Sequence, residues 1–301
     1  MSMIFESPLI SAVIIIEATG LGGDQLPVIL VPGLLAAGIG SLIAIGMGSW
    51  TGLSTKAFAL GTLPLPSFPR PEAGDFGWSI LVSALIAVGV FAIFRLALRL
   101  ERPMSTRRLV VLPAAGLAIA GLAIAFAQAT PHGTSEVLFS GQDQLPGLVS
   151  GAARWSAGAL ALVLVFKGLA WSISLPGFRG GPTFPAIFLG AAAGLLATHL
   201  PGYDLTPAVA VGIGAGTAAT LKLPLSAVII ATLLTAKSGS GAMPLVIVGV
   251  VTAYLVRRAL DASALGAARG RADQVADQHP DHRDEVELAG EHLQDGQRVP
   301  D

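Results

Sequence analysis

The side chains able to carry proton, metal or nucleophile chemistry are few in this sequence and lie far apart. Cysteine does not occur among the 301 residues, which excludes disulfides, thiolate metal sites, iron–sulfur clusters and cysteine nucleophiles. Glu17 is the sole acid of the apolar run that starts at Pro8, and Lys167 stands in the middle of another run, residues 155–175. An ionisable group inside such a run is costly to desolvate, so it lines a solute pathway, finds a partner, or reaches for water. For Glu17 the alternatives are an acid on an ion pathway and an acid at the cytoplasmic mouth, held in a salt bridge or a watery vestibule. For Lys167, and for Lys222 before Pro224, they are attraction of an anion and snorkelling toward an interface. No span holds a paired acid, base or nucleophile, so enzyme catalysis is not expected and no catalytic residue, metal site or cofactor is assigned. His279, His282 and His292 stand among acids in a polar tail and read as solvated.

The elements that must position these residues are lipid-embedded helices. The chain is 53% hydrophobic and 12% charged, against roughly 45–50% and about 25% in soluble domains. Apolar stretches near the roughly 20 residues that a bilayer core demands recur at 27–50, 77–100, 107–127, 155–175, 184–200 and 243–256. Shorter pieces at 7–17, 206–220 and 224–236 cannot cross alone. They are broken by Gly or Pro, and irregular backbone at membrane depth must be buried in protein or line a cavity. That pattern belongs to transporters and channels, although any one glycine also serves helix packing. Trp50, Trp78, Trp155 and Trp171 fall near span ends and read as an interface belt. With 6% aromatic residues and no long basic run, the chain has nothing with which to clamp nucleic acid.

Residues 1–258 hold 14 basic and 9 acidic side chains, and residues 259–301 hold 4 and 10. A basic, hydrophobic body therefore ends in an acidic tail, too poor in large apolar residues to fold and expected to be disordered. Arg95, Arg99, Arg102, Arg107 and Arg108, joined by Arg257 and Arg258, place the 95–108 segment and the C-terminus on the cytoplasmic side of the cell membrane. No signal peptide is evident, so the first helix is retained.

The two ends of the hydrophobic body resemble each other. Pro8-Leu9-Ile10-Ser11-Ala12-Val13-Ile14-Ile15 corresponds to Pro224-Leu225-Ser226-Ala227-Val228-Ile229-Ile230. Each is followed by a Gly-containing turn and a second apolar helix, opened by Pro27 in one copy and Pro244 in the other. Duplication is common in transporters. It predicts the last two helices of a first repeat over 1–50, a loop over 51–74 and a second repeat over 75–258, so the sequence reads as N-terminally truncated.

Three stretches resemble the CLC family of chloride channels and proton-coupled chloride transporters. Gly180-Gly181-Pro182-Thr183-Phe184-Pro185-Ala186-Ile187-Phe188-Leu189-Gly190 is similar to that family's G-x-F-x-P segment, the start of a helix pointing at the central anion. Residues Gly212 to Ser226 resemble its G-x-G-A-x-x-A-A-x-x-x-A-P-L-[TS] segment, and Phe5-Glu6-Ser7-Pro8-Leu9 through Glu17 resembles its F-x-A-P-L-A-G stretch. The resemblance implies an all-α, polytopic, inverted-repeat transmembrane fold that passes chloride or a similar small anion, with Gly180, Gly181, Thr183, Phe184 and Pro185 as the anion-binding turn. It also implies a homodimer in the lipid bilayer, joined through 7–50 and 224–258. A half-helix N-terminus suits conduction, because its partial charge holds an anion without the trap that a full cation sets.

The sequence departs from the family pattern. Pro182 replaces a residue whose N–H would face the anion, leaving Thr183 and Phe184 as donors. The segments that carry the family's gating glutamate would precede Met1, and no tyrosine follows Tyr254 to match the family's pore tyrosine. Ala18 follows Glu17 where proton-coupled members carry a second glutamate. Channel-like, uncoupled permeation is expected on that ground; an antiporter, a non-conducting partial unit and a transporter of another fold are the alternatives.

Overall fold

A computed structural model describes residues 7–20, 26–52, 60–178 and 180–278, and no strand occurs among them. The chain divides into two compact units, Met1–Arg257 and Arg258–Asp301. In chain order the helices are α1 (Pro8–Thr19), α2 (Leu26–Thr51), α3 (Ala73–Thr106), α4 (Arg108–Ala129), α5 (Leu145–Ser150), α6 (Ala157–Ser174), α7 (Thr183–Ala197), α8 (Leu205–Leu221), α9 (Pro224–Leu234) and α10 (Met243–Gln278). Five of them, α2, α3, α4, α6 and α10, are long and apolar enough to cross a membrane. The fold is all-α and polytopic, as the apolar runs require.

Of the broken pieces, α8 lies in the interior of the first unit. At 17 residues α8 is the longest of them, about 25 Å against a hydrocarbon core of roughly 30 Å. The stretch 184–200, expected as a full span, joins this group: α7 has 15 residues. Its last turn tightens where the Thr198 N–H and hydroxyl both donate to the Leu195 carbonyl, at 3.2 and 2.7 Å, and Pro201 follows. Such a helix satisfies its flanking backbone only within protein, and Ile187, Phe188, Ala191 and Ala192 are completely buried.

Glycine brings α7 and α8 into backbone contact. A β-carbon on Gly190 would lie 2.2 Å from the Gly212 carbonyl oxygen, and one on Gly194 would lie 2.2 Å from that of Ala208. In lipid, where apolar burial drives no helix association, this close approach supplies the packing. The extended chain before α3 clamps the same bundle: Leu63 N–H donates to the Leu234 carbonyl at 2.7 Å, and Thr206 Oγ1 to that of Pro66 at 2.8 Å.

The similar ends are built alike. Pro8 and Pro224 each occupy the first position of their helices, and Pro27 and Pro244 the second positions of α2 and α10, where a missing N–H costs nothing. In the second unit α10 runs on to Gln278, so residues 259–278 of the segment read as a disordered tail are helical, consistent with their many alanines. Phe5, Glu6, His279, His282 and His292 lie outside the described residues. The interface belt needs correction: Trp155 and Trp171 are buried, Trp155 stacked on His132 at 3.5 Å and Trp171 edge-on to Phe94 at 5.8 Å. A span-end position does not reveal that a loop or neighbouring helix covers the ring.

Candidate functional site

The turn before α7 opens into a cavity of about 240 Å³, walled in part by Gly180, Gly181 and Pro185. Both glycines are exposed, and a β-carbon on either would meet nothing within 4 Å. Thr183, at the first helical position, is buried; Phe184 packs partly buried against the core, and neither side chain lines the cavity. Pro182 and Pro185 carry no N–H, and the Ala186 N–H is committed to the Pro182 carbonyl at 3.2 Å. Ahead of Ala186, the first turn of α7 carries N–H groups at Thr183 and Phe184.

A residue that the sequence left undecided completes the wall. Lys167 of α6 does not snorkel: it is 2% exposed and lines the cavity. Its Nζ donates to the carbonyls of Glu136 at 2.8 Å and Leu138 at 3.2 Å, and sits 4.4 Å from the centre of the Phe188 ring. These bonds draw the loop between α4 and α5 inward, so that Val137, Leu138, Phe139 and Ser140 form the facing wall. Gly141, with φ at +86°, lets that loop lie on Phe188, whose ring and Cβ stand where a β-carbon would go. Lys167 is the only ionisable side chain among the described lining residues. An ammonium thus joins the dipolar turn, where the sequence pointed to backbone donors without a formal cation.

The loop carries two perturbed groups. Burial pushes the Glu136 carboxyl above its ordinary range, with Lys167 opposing the shift, and one carboxylate oxygen is buried without a partner. Burial also lowers the His132 imidazole, aided by the Arg154 charge.

Glu17 stands elsewhere. Its carboxylate accepts from the Leu225 and Ser226 N–H groups, both at 2.7 Å, and from the Ser226 hydroxyl at 2.6 Å. It caps the N-terminus of α9, where a negative charge is favoured, and it is not in the cavity wall. No sequence signal reveals that partner 208 residues away.

Spanning helices and buried half-helices define a polytopic membrane protein, with a cavity bounded by a helix N-terminus and an ammonium. The chain matches the family described as "Voltage gated chloride channel" over residues 1–258. It belongs to that family, and its role is chloride transport across a membrane as a channel or an antiporter. Comparison with curated proteins found no match.

Proposed function

We propose that the protein passes chloride or a similar small anion without coupling to protons, through the cavity before α7. Gly180, Gly181, Thr183, Phe184 and Pro185 form the binding turn, and Lys167 raises the local anion concentration. The observation that carries this reading is the cavity wall: its one ionisable described residue is a cation, and the neighbouring acid Glu136, whose charge acts on Lys167, is not among the lining residues. Glu17 is engaged at α9, and Ala18 follows it. The protein sits in the cell membrane with its C-terminus in the cytoplasm and works as a homodimer through 7–50 and 224–258.

The test uses proteoliposomes loaded with chloride, with external chloride and pH followed together after valinomycin is added. Chloride efflux above that of empty vesicles, with no counter-movement of protons, is the expected result. Stoichiometric proton movement identifies an antiporter, and efflux at the empty-vesicle level removes the transport reading.

A further inference from the structure

A second, larger space lies between α3, α6 and α7, a groove of about 610 Å³ that shares no lining residue with the anion cavity. Its wall is aliphatic but for Ser172, whose hydroxyl donates to the Gly168 carbonyl at 2.8 Å. The wall therefore leaves no polar group asking for a polar ligand. At its rim Leu85 and Val165 are 63% and 55% exposed, so the groove opens where the protein meets hydrocarbon. Gly89 lines it, and a β-carbon there would meet nothing within 4 Å.

Size selects the occupant. On α3 the lining runs from Val82 to Leu96, about 21 Å at 1.5 Å per residue. A helix about 10 Å wide over that length would fill roughly 1,600 Å³ and could sit only part-way into the groove. An acyl chain of about sixteen to eighteen groups, each near the roughly 30 Å³ of a water molecule, needs about 500 Å³. Charge selects the headgroup. At the Leu96 end α3 carries the exposed residues Arg95, Arg99 and Arg102, and guanidinium groups at a membrane surface recruit phosphate and anionic lipid.

We propose that this groove is a lipid site, holding one acyl tail of an anionic phospholipid whose phosphate lies at Arg95 and Arg99. The lipid fills a gap that would otherwise leave α3 poorly packed against α6 and α7.

The test is native mass spectrometry of the purified full chain after exchange through vesicles of phosphatidylglycerol or of phosphatidylcholine. About one phosphatidylglycerol per chain is expected to survive detergent exchange, at least fivefold more than phosphatidylcholine. Gly89→Phe should cut retention at least fivefold while chloride efflux persists. Arg95→Gln with Arg99→Gln should erase the preference between the two lipids. A diazirine-tagged acyl chain should label peptides bearing Leu85 and Leu169 in the unaltered protein, a readout that does not depend on any variant folding. Loss of all lipid on exchange, full retention by Gly89→Phe, labelling confined to other helices, or a polypeptide helix found in the groove would each overturn the assignment.

Discussion

Lys167 shows how one residue can be conspicuous in a sequence while its role stays hidden. A lysine amid apolar residues 155–175 invites attention, but its direction is set by carbonyls about thirty residues earlier, at Glu136 and Leu138, which local periodicity does not encode. At an effective dielectric near 20, two unit charges about 4 Å apart attract by roughly 4 kcal/mol and less at greater separation, so a cation in the cavity wall is worth on the order of one to two decades in affinity. Lys167→Met is therefore expected to weaken chloride binding, measured by calorimetry, by ten- to a hundredfold. Lys167→Arg, which keeps the charge but not the fit to the loop, should lose much less; equal losses would mean that the residue only pins the loop. Glu136 gives a pH prediction. Burial raises its carboxyl value in the folded protein, so the folded state binds that proton more tightly than the unfolded chain does. The associated stability is complete below the ordinary carboxylate range and is lost as pH rises through the raised value. Glu136→Gln should match the unaltered protein in thermal unfolding near pH 4 and exceed it at pH 8, and a parallel pair of pH curves would refute the cause given.

At the scale of elements, the spans were legible because lipid demands long apolar runs, and Pro8 and Pro224 marked their helix starts because proline tolerates little else. The length of α7 was not legible, since its end rests on the Thr198 contacts with Leu195 rather than on hydropathy. The turn before α7 was read from its residues, but its facing wall was not. Two element contacts carry consequences. Gly212 of α8 has the Gly190 carbonyl oxygen 2.2 Å from where its β-carbon would lie. Gly212→Leu should force α7 and α8 apart and abolish the monodisperse folded protein in size-exclusion chromatography, whereas Gly116→Leu, at a site with nothing within 4 Å, should be tolerated. Glu17 links α1 to α9 through three hydrogen bonds at a partly exposed site. Glu17→Ala leaves those donors without their acceptor and should cost about 1–2 kcal/mol, read as a lowered Tm. Unchanged chloride efflux in the same variant would separate a clamp from an ion-pathway acid.

Over the whole molecule, α2 is the helix that its own unit covers least. Among its described side chains Ala37 is buried, while Val28, Val31, Leu35, Leu42 and Ile45 are between 63% and 72% exposed. Their spacing, with Gly38 filling the remaining place, follows the alternating three- and four-residue steps of a helix–helix seam. Lipid would also cover such a stripe, and in a bilayer burial of apolar surface does not by itself favour protein over lipid. Shape decides instead: β-carbons at Gly38 and Gly40 would meet nothing within 4 Å, leaving room for the backbone of a second helix to approach. The proposed dimer through 7–50 and 224–258 thus has a stripe on α2 suited to it. Single-molecule photobleaching in bilayers should show two steps for the unaltered protein. Leu35→Trp or Leu42→Trp, each placing a bulky ring on the seam without touching the anion cavity, should shift the distribution to one step and leave chloride efflux per chain unchanged. One-step bleaching of the unaltered protein at all densities would assign the stripe to lipid, and loss of efflux with the dimer would mean that the pathway in one chain depends on its partner.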